Sequence, residues 1–330
     1  MTRDLLFAGM ELSLSGDNQR ERITDMANEL VCNYSWGNLP QEFYPRVIRE
    51  FLDNGIDRIV FGDSLITRGL AEPEFIDFLR GLTKSLGVNF VAMHAPYGRA
   101  FDLDIPDFNR RPGMIADHRK AIRIAAEFGS RTYTIHVGAS HYVRREAKLP
   151  ELIDLAAQAM ELLVPSAEKA GVVLAVENAF EPPNSARVVR ELVEPYAGNE
   201  FVGVCFDTGH ANIMTMRPGK DVTKYRHYIY SSWYETGIVP ENDALEVLKP
   251  YIVTTHMHDN DGYGDSHSMP LDGDIDWRKL VPELKSCPRM LEYQTEVNFN
   301  CGTNWSGKLL SPPGGYSIKR LVETFRKIGF

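Results

Sequence analysis

Six strand-like runs in this chain end, one after another, on a residue able to hold a metal ion or move a proton. They are VNFVAMH ending at His94, RTYTIH at His136, VVLAVE at Glu177, FVGVCFDTGH at Asp207 and His210, YIVTTH at His256, and MLEYQTEV with Glu292 and Glu296. Each is a short block rich in β-branched and aromatic residues, preceded by apolar residues at helical spacing and followed by Gly, Pro, Asn or Ser. A single such His or Asp reads equally well as a helix cap or a satisfied core residue. Six in agreement select one layout.

That layout is an α/β fold, the (β/α)8 barrel, whose active site is built from the C-terminal ends of its strands. An open doubly wound sheet fits less well, because it gathers ligands at one switch point. Strand and helix patterns alternate from LLFAGMELSL, read as strand one, to the closing helix YSIKRLVETFRKIG, giving eight pairs. A polar excursion from Ser15 to about Leu39 follows strand one, and the helix after strand three is expected to start at ADHRKAIRIAAEFG. No linker or repeat interrupts the chain, so residues 1–330 read as a single barrel domain. Insertions are expected after strands 3, 6 and 8, the largest from Ala211 to Gly237.

Composition narrows the partners. Lys and Arg number 36 against 45 Asp and Glu, a net charge of −9, which speaks against a nucleic-acid or anionic-membrane surface. Cys32, Cys205, Cys287 and Cys301 lack CxxC spacing, so neither a disulfide scaffold nor a thiolate zinc site is indicated. With no signal-peptide pattern and no run of about 18 apolar residues, the expectation is a cytoplasmic protein without a membrane partner.

The densest segment is HMHDNDGYGDSH, where His256, His258, Asp259, Asp265 and His267 fall within twelve residues. Imidazole and carboxylate together suit Zn, Mn, Fe or Co. With HAPY, IHVG, VEN, FDTGHAN, DGDIDW and the late Glu, this segment resembles the xylose isomerase-like TIM barrel superfamily. That group includes sugar isomerases, 3-epimerases, inosose-handling enzymes and the nuclease endonuclease IV.

The resemblance implies one divalent ion (Mn, Zn, Co or Fe) held by Glu177, Asp207, His256 and a glutamate of strand eight. Counting on from DIDW lands on Glu296, with Glu292 deeper in the barrel. The nuclease likeness extends the set to His94, His136, His210, Asp265 and His267, and so to as many as three ions. By the same likeness the reaction is sugar isomerisation or epimerisation. A carboxylate removes the proton α to a carbonyl, and the metal stabilises the enediolate. Glu177 and Glu296 are the implied acid–base pair, with His210 or His258 positioning a hydroxyl or relaying a proton. A multinuclear phosphodiesterase, a sugar-processing lyase on the same site and a non-catalytic sugar-binding barrel are the alternatives.

The expected partner is a small carbohydrate, contacted by His94, His136 and His258, by Arg144 after strand four, and by Trp233 and Trp305 from later loops. Arg99, Arg110, Arg111, Lys148, Arg217, Lys220, Lys224 and Arg226 are either solvated loop charge or a cradle for an anionic group. The aromatic stretch YRHYIYSSWYETG faces either the sugar or a subunit interface of a homo-oligomer. Phe7, Glu11 and Trp36 are further candidates for the pocket wall.

Overall fold

The computed structural model describes residues 30–138, 146–299 and 316–330. Eight parallel strands pair in chain order and close into a barrel: β1 (Leu30–Cys32), β2 (Arg58–Phe61), β3 (Asn89–His94), β4 (Thr132–Ile135), β5 (Val173–Glu177), β6 (Val202–Asp207), β7 (Ile252–Met257) and β8 (Tyr293–Thr295). The helices surround it, and the outer ones lay apolar stripes on the strands. Helix Tyr44–Asp53, for example, buries Tyr44, Val47, Ile48 and Phe51, and Ile318–Ile328 buries Ile318, Leu321, Val322 and Phe325. Helix Pro73–Leu86 stops at Gly87, whose φ of +73° is a left-handed cap that only glycine adopts without strain. No helix among the described residues is long and apolar enough to cross a membrane.

Two expectations are corrected. LLFAGMELSL lies outside the described residues, and the strand that closes the barrel is Leu30–Cys32, inside the stretch read as a polar excursion. Three residues suffice because Leu30, Val31 and Cys32 pair with Tyr293, Gln294 and Thr295 of an equally short β8. So brief a run has no periodicity of its own. The helix after β3 begins at Arg111 rather than in ADHRK, because Pro112 sits in its first turn, where a missing N–H costs nothing.

Inside the barrel the lower layers are small: Val173, Ala175, Cys205 and Val253 on one side, Val31, Val60 and Ala92 on the other. Beneath the mouth lies a buried polar floor. Glu292 accepts from Thr132 Oγ1 (2.5 Å), Gln294 Nε2 (2.9 Å) and Arg131 Nε (3.1 Å).

Candidate metal centre

Strand register brings the strand-end residues to one level. Glu177 pairs with Cys205 and Asp207 with His256, which sets carboxylates and imidazoles side by side around the mouth. Asn178 ties β5 to β6 by accepting from Asp207 N (2.9 Å) and donating to Asp207 O (3.1 Å). Asp207 caps the helix Thr208–Met214, its Oδ1 accepting from His210 N at 2.6 Å.

Glu177 is the hub of the first group. Its Oε1 lies 3.0 Å from His256 Nδ1, and its Oε2 lies 3.0 Å from His136 Nε2 and 3.7 Å from His94 Nε2. Glu296 Oε2 stands 3.3 Å from the same His256 nitrogen. One ligand atom from each of Glu177, Asp207, His256 and Glu296 falls within 4.8 Å of all the others. His210, His258, Asp265 and His267 form a second such group. There, Asp265 Oδ2 lies 3.1 Å from His267 Nε2 and 3.4 Å from His210 Nε2, and His258 Nε2 lies 3.0 Å from Asp207 Oδ2.

Burial opposes every charge here, yet the cluster holds opposite charges in contact. Burial alone would raise the carboxyl of Glu177, but His256 and His136 hold it well below the usual range. Glu296 is likewise held low by His256 and His267 against its burial. Asp207 and Asp265 keep the His210 imidazole well above its ordinary value despite burial, and Asp265 lifts His267 to about 10. His94, buried and beside His136, is lowered.

A family model described as a xylose isomerase-like TIM barrel matches residues 52–297, almost the whole described barrel. The chain belongs to the xylose isomerase-like TIM barrel family. An uncharacterised protein of Sinorhizobium fredii is 25% identical over 292 residues, covering 78% of this chain and 82% of its own. The structure of D-psicose 3-epimerase with D-tagatose from Clostridium cellulolyticum superposes with a TM-score of 0.65, at 13% identity, over 92% of this chain and 98% of its own. That of the IolI protein with a bound zinc atom gives 0.61 at 14% identity, over 91% and 96%. At these identities the likeness is one of fold.

The donor set of this xylose isomerase-like barrel fits a divalent metal on its own geometry. Three histidines tie Nδ1 to a main-chain carbonyl: His94 to Ala95 (2.7 Å), His210 to Asn178 (3.0 Å) and His267 to Glu296 (2.8 Å). Each is therefore oriented with Nε2 toward the cluster, as metal-binding imidazoles are. Glu296 Oε2, Asp265 Oδ1 and His258 Nδ1 are buried without a hydrogen bond, the state that coordination relieves.

The remaining predicted residues divide. His94 and His136 line the cavity over the cluster, with His210, Asp265, His267, Glu177 and Glu296. His258 is fully buried, stacked on His267 (centroids 3.9 Å apart, planes 10°) and outside the cavity wall, so it supports the site rather than facing a sugar. Gly209 is required beneath it, since a Cβ there would collide with its ring. Trp233 is also corrected. Its indole N–H donates to Phe180 O (2.8 Å) and its ring packs with Ile213, Met214, Tyr225 and Ile229, away from the cavity. Trp36 is core as well, packed on Tyr34 and Tyr44. Arg144, Trp305, Phe7 and Glu11 lie outside the described residues.

None of the described basic residues lines the cavity over the cluster. Arg111 is buried and donates to the carbonyls of Leu103, Ile105 and Leu155. Lys220 serves those of Ile213 and Thr215, while Lys148 pairs with Glu235. Sequence reasoning missed four wall residues with polar side chains: Tyr97, Asp102, Glu181 and Asn184. The last two sit just past VEN in FEPPN, and only the loop's fold turns them inward.

Proposed function

We propose that this protein is a metal-dependent sugar isomerase or epimerase in which Glu177 and Glu296 form the acid–base pair. One observation carries the reading: both carboxylates approach a single nitrogen, His256 Nδ1, at 3.0 and 3.3 Å, beneath a cavity of about 490 Å3. A divalent cation held by Glu177, Asp207, His256 and Glu296 would polarise adjacent oxygens of a ketose and acidify the C–H bond between them. Glu296, ionised and with Oε2 lacking a hydrogen-bond donor, is suited to take that proton. Glu177, steadied by His136 and His256, is suited to deliver one from the other side. Between them, His94 and His210 keep hydroxyl-binding groups in reach.

The test is solvent exchange. The protein loaded with Mn or Co, incubated with ketoses in D2O, is expected to place deuterium on the carbon next to the carbonyl and to form the epimer or aldose. Metal bound at one equivalent with no exchange in any sugar would sink the reading. The second cluster, His210, His258, Asp265 and His267, favours a second reading, a multinuclear hydrolase. Two to three zinc ions per chain together with phosphodiester cleavage would establish it. Against it, no Lys or Arg occurs among the described residues lining the cavity.

A further inference from the structure

The cavity over Glu177 continues past Glu296. A second lobe of about 450 Å3 opens toward β1 and β2, and Tyr97, His267 and Glu296 line both. The rest of its wall includes Asn33, just past β1, Asp63 and Ser64, at the start of helix Asp63–Ala71, and Asn298. These are all C-terminal strand-end positions, so the second lobe shares the mouth of the barrel with the cluster.

Size and chemistry point the same way. Either lobe falls within the roughly 300–1,000 Å3 of a small-molecule pocket, so a single sugar ring beside Glu177 leaves the second lobe to water. The second lobe offers a carboxylate, amides, hydroxyls and the rings of Tyr34 and Tyr97, which is the chemistry of a hydroxyl-rich, uncharged ligand. Asp63 is a carboxylate in the wall of this lobe, an acceptor suited to a ligand hydroxyl. Tyr97, more than half exposed at 53%, stands between the lobes as a ring platform. No Lys or Arg lines either lobe among the described residues, so neither offers the side chain that usually grips a phosphate.

We propose that the second lobe is a subsite for a further uncharged sugar ring, so that the preferred substrate is a glycosidically extended ketose rather than a free or phosphorylated monosaccharide. The proposal rests on the isomerase or epimerase reading of the first lobe.

The experiment compares D-fructose, D-fructose 6-phosphate and isomaltulose, a 6-O-glucosyl fructose, on the metal-loaded full chain. Turnover is measured, and isomaltulose binding is followed by calorimetry. The expected result is a kcat/KM for isomaltulose about ten-fold above fructose, carried by KM, with the phosphate slowest. Asp63→Leu is expected to cut the isomaltulose-to-fructose ratio by about ten-fold, the equivalent of one or two lost hydrogen bonds. Asp63→Asn should cut it less, and it carries the test if circular dichroism shows Asp63→Leu misfolded. Fructose or its phosphate outperforming isomaltulose, or Asp63→Leu slowing isomaltulose and fructose by the same factor, overturns the subsite. Isomaltulose binding that weakens in Asp63→Leu, with none of the three turned over, supports the subsite and sinks the acid–base assignment instead.

Discussion

Glu292 and Glu296 flank β8 at its two ends, the first carboxylate in a hydrogen-bonded floor and the second 3.3 Å from His256 at the mouth. Both follow the same alternation and both point inward. Depth separates their chemistry. Glu296→Gln is expected to lower turnover by about 10³-fold, the scale of a lost general acid or base, with metal affinity reduced as well. Steady-state kinetics beside elemental analysis checks this, and turnover within a few-fold of wild type would remove Glu296 from the reaction.

Glu292→Ala should leave metal content unchanged. It leaves the Thr132 hydroxyl without its acceptor and the buried side of Arg131 without its carboxylate, so urea unfolding is expected to show a loss of about 3 kcal/mol. A loss of bound metal at full stability would contradict this placement.

Asp259 holds the loop that carries His258, Asp265 and His267. Its carboxylate accepts from Asn260 N (2.9 Å), Ile275 N (3.2 Å), Leu271 N (3.0 Å) and Trp277 Nε1 (2.8 Å). Removing it leaves four donors unmatched, so Asp259→Ala should cost at least about 3 kcal/mol. Any metal bound by His258, Asp265 and His267 should be lost with the loop. Asn at 259 should not rescue, because its amide points N–H groups at two of those donors. Unchanged stability and metal stoichiometry in both variants would refute the role.

Asp104 is buried with neither oxygen hydrogen-bonded. Burial and the Asp102 charge push its carboxyl well above the ordinary 3.8, against the pull of Arg111. The folded protein therefore keeps a proton that the unfolded chain has released. Stability from this group is full below the ordinary value and declines as pH rises toward the native one. Asp104→Asn is expected to flatten that decline and raise the thermal midpoint near neutral pH. Thermal scans across about pH 4 to 8 decide it, and a steeper decline in the variant would refute it.

Trp233→Phe tests the packing role. It deletes one hydrogen bond, to Phe180 O, and is expected to cost about 1 kcal/mol with KM altered less than about two-fold. A large rise in KM at unchanged stability would return Trp233 to the substrate.

Much of the barrel was legible in the chain because strand ends and ligand residues coincide. The runs ending at His94, His136, Glu177, Asp207 and His256 all became strands β3 to β7 or the residue just after one. The strand Leu30–Cys32 escaped notice because three residues carry no period, and its identity comes from pairing with β8. The fates of His258 and Trp233 were not readable either. Each is an ordinary candidate by residue type, and burial alone makes one a support for the cluster and the other a packing residue.

The chain by itself determined the alternation that makes a barrel and the His, Asp and Glu residues that ring its mouth. These follow from local patterning, which survives in one dimension. Tertiary structure alone decided which donors meet. Strand register sets Glu177 and Glu296 on one nitrogen of His256, main-chain carbonyls turn the Nε2 atoms of His94, His210 and His267 inward, and depth sends Glu292 to the floor. Contacts between residues far apart in sequence depend on closure of the whole sheet, and no short window of residues contains that information.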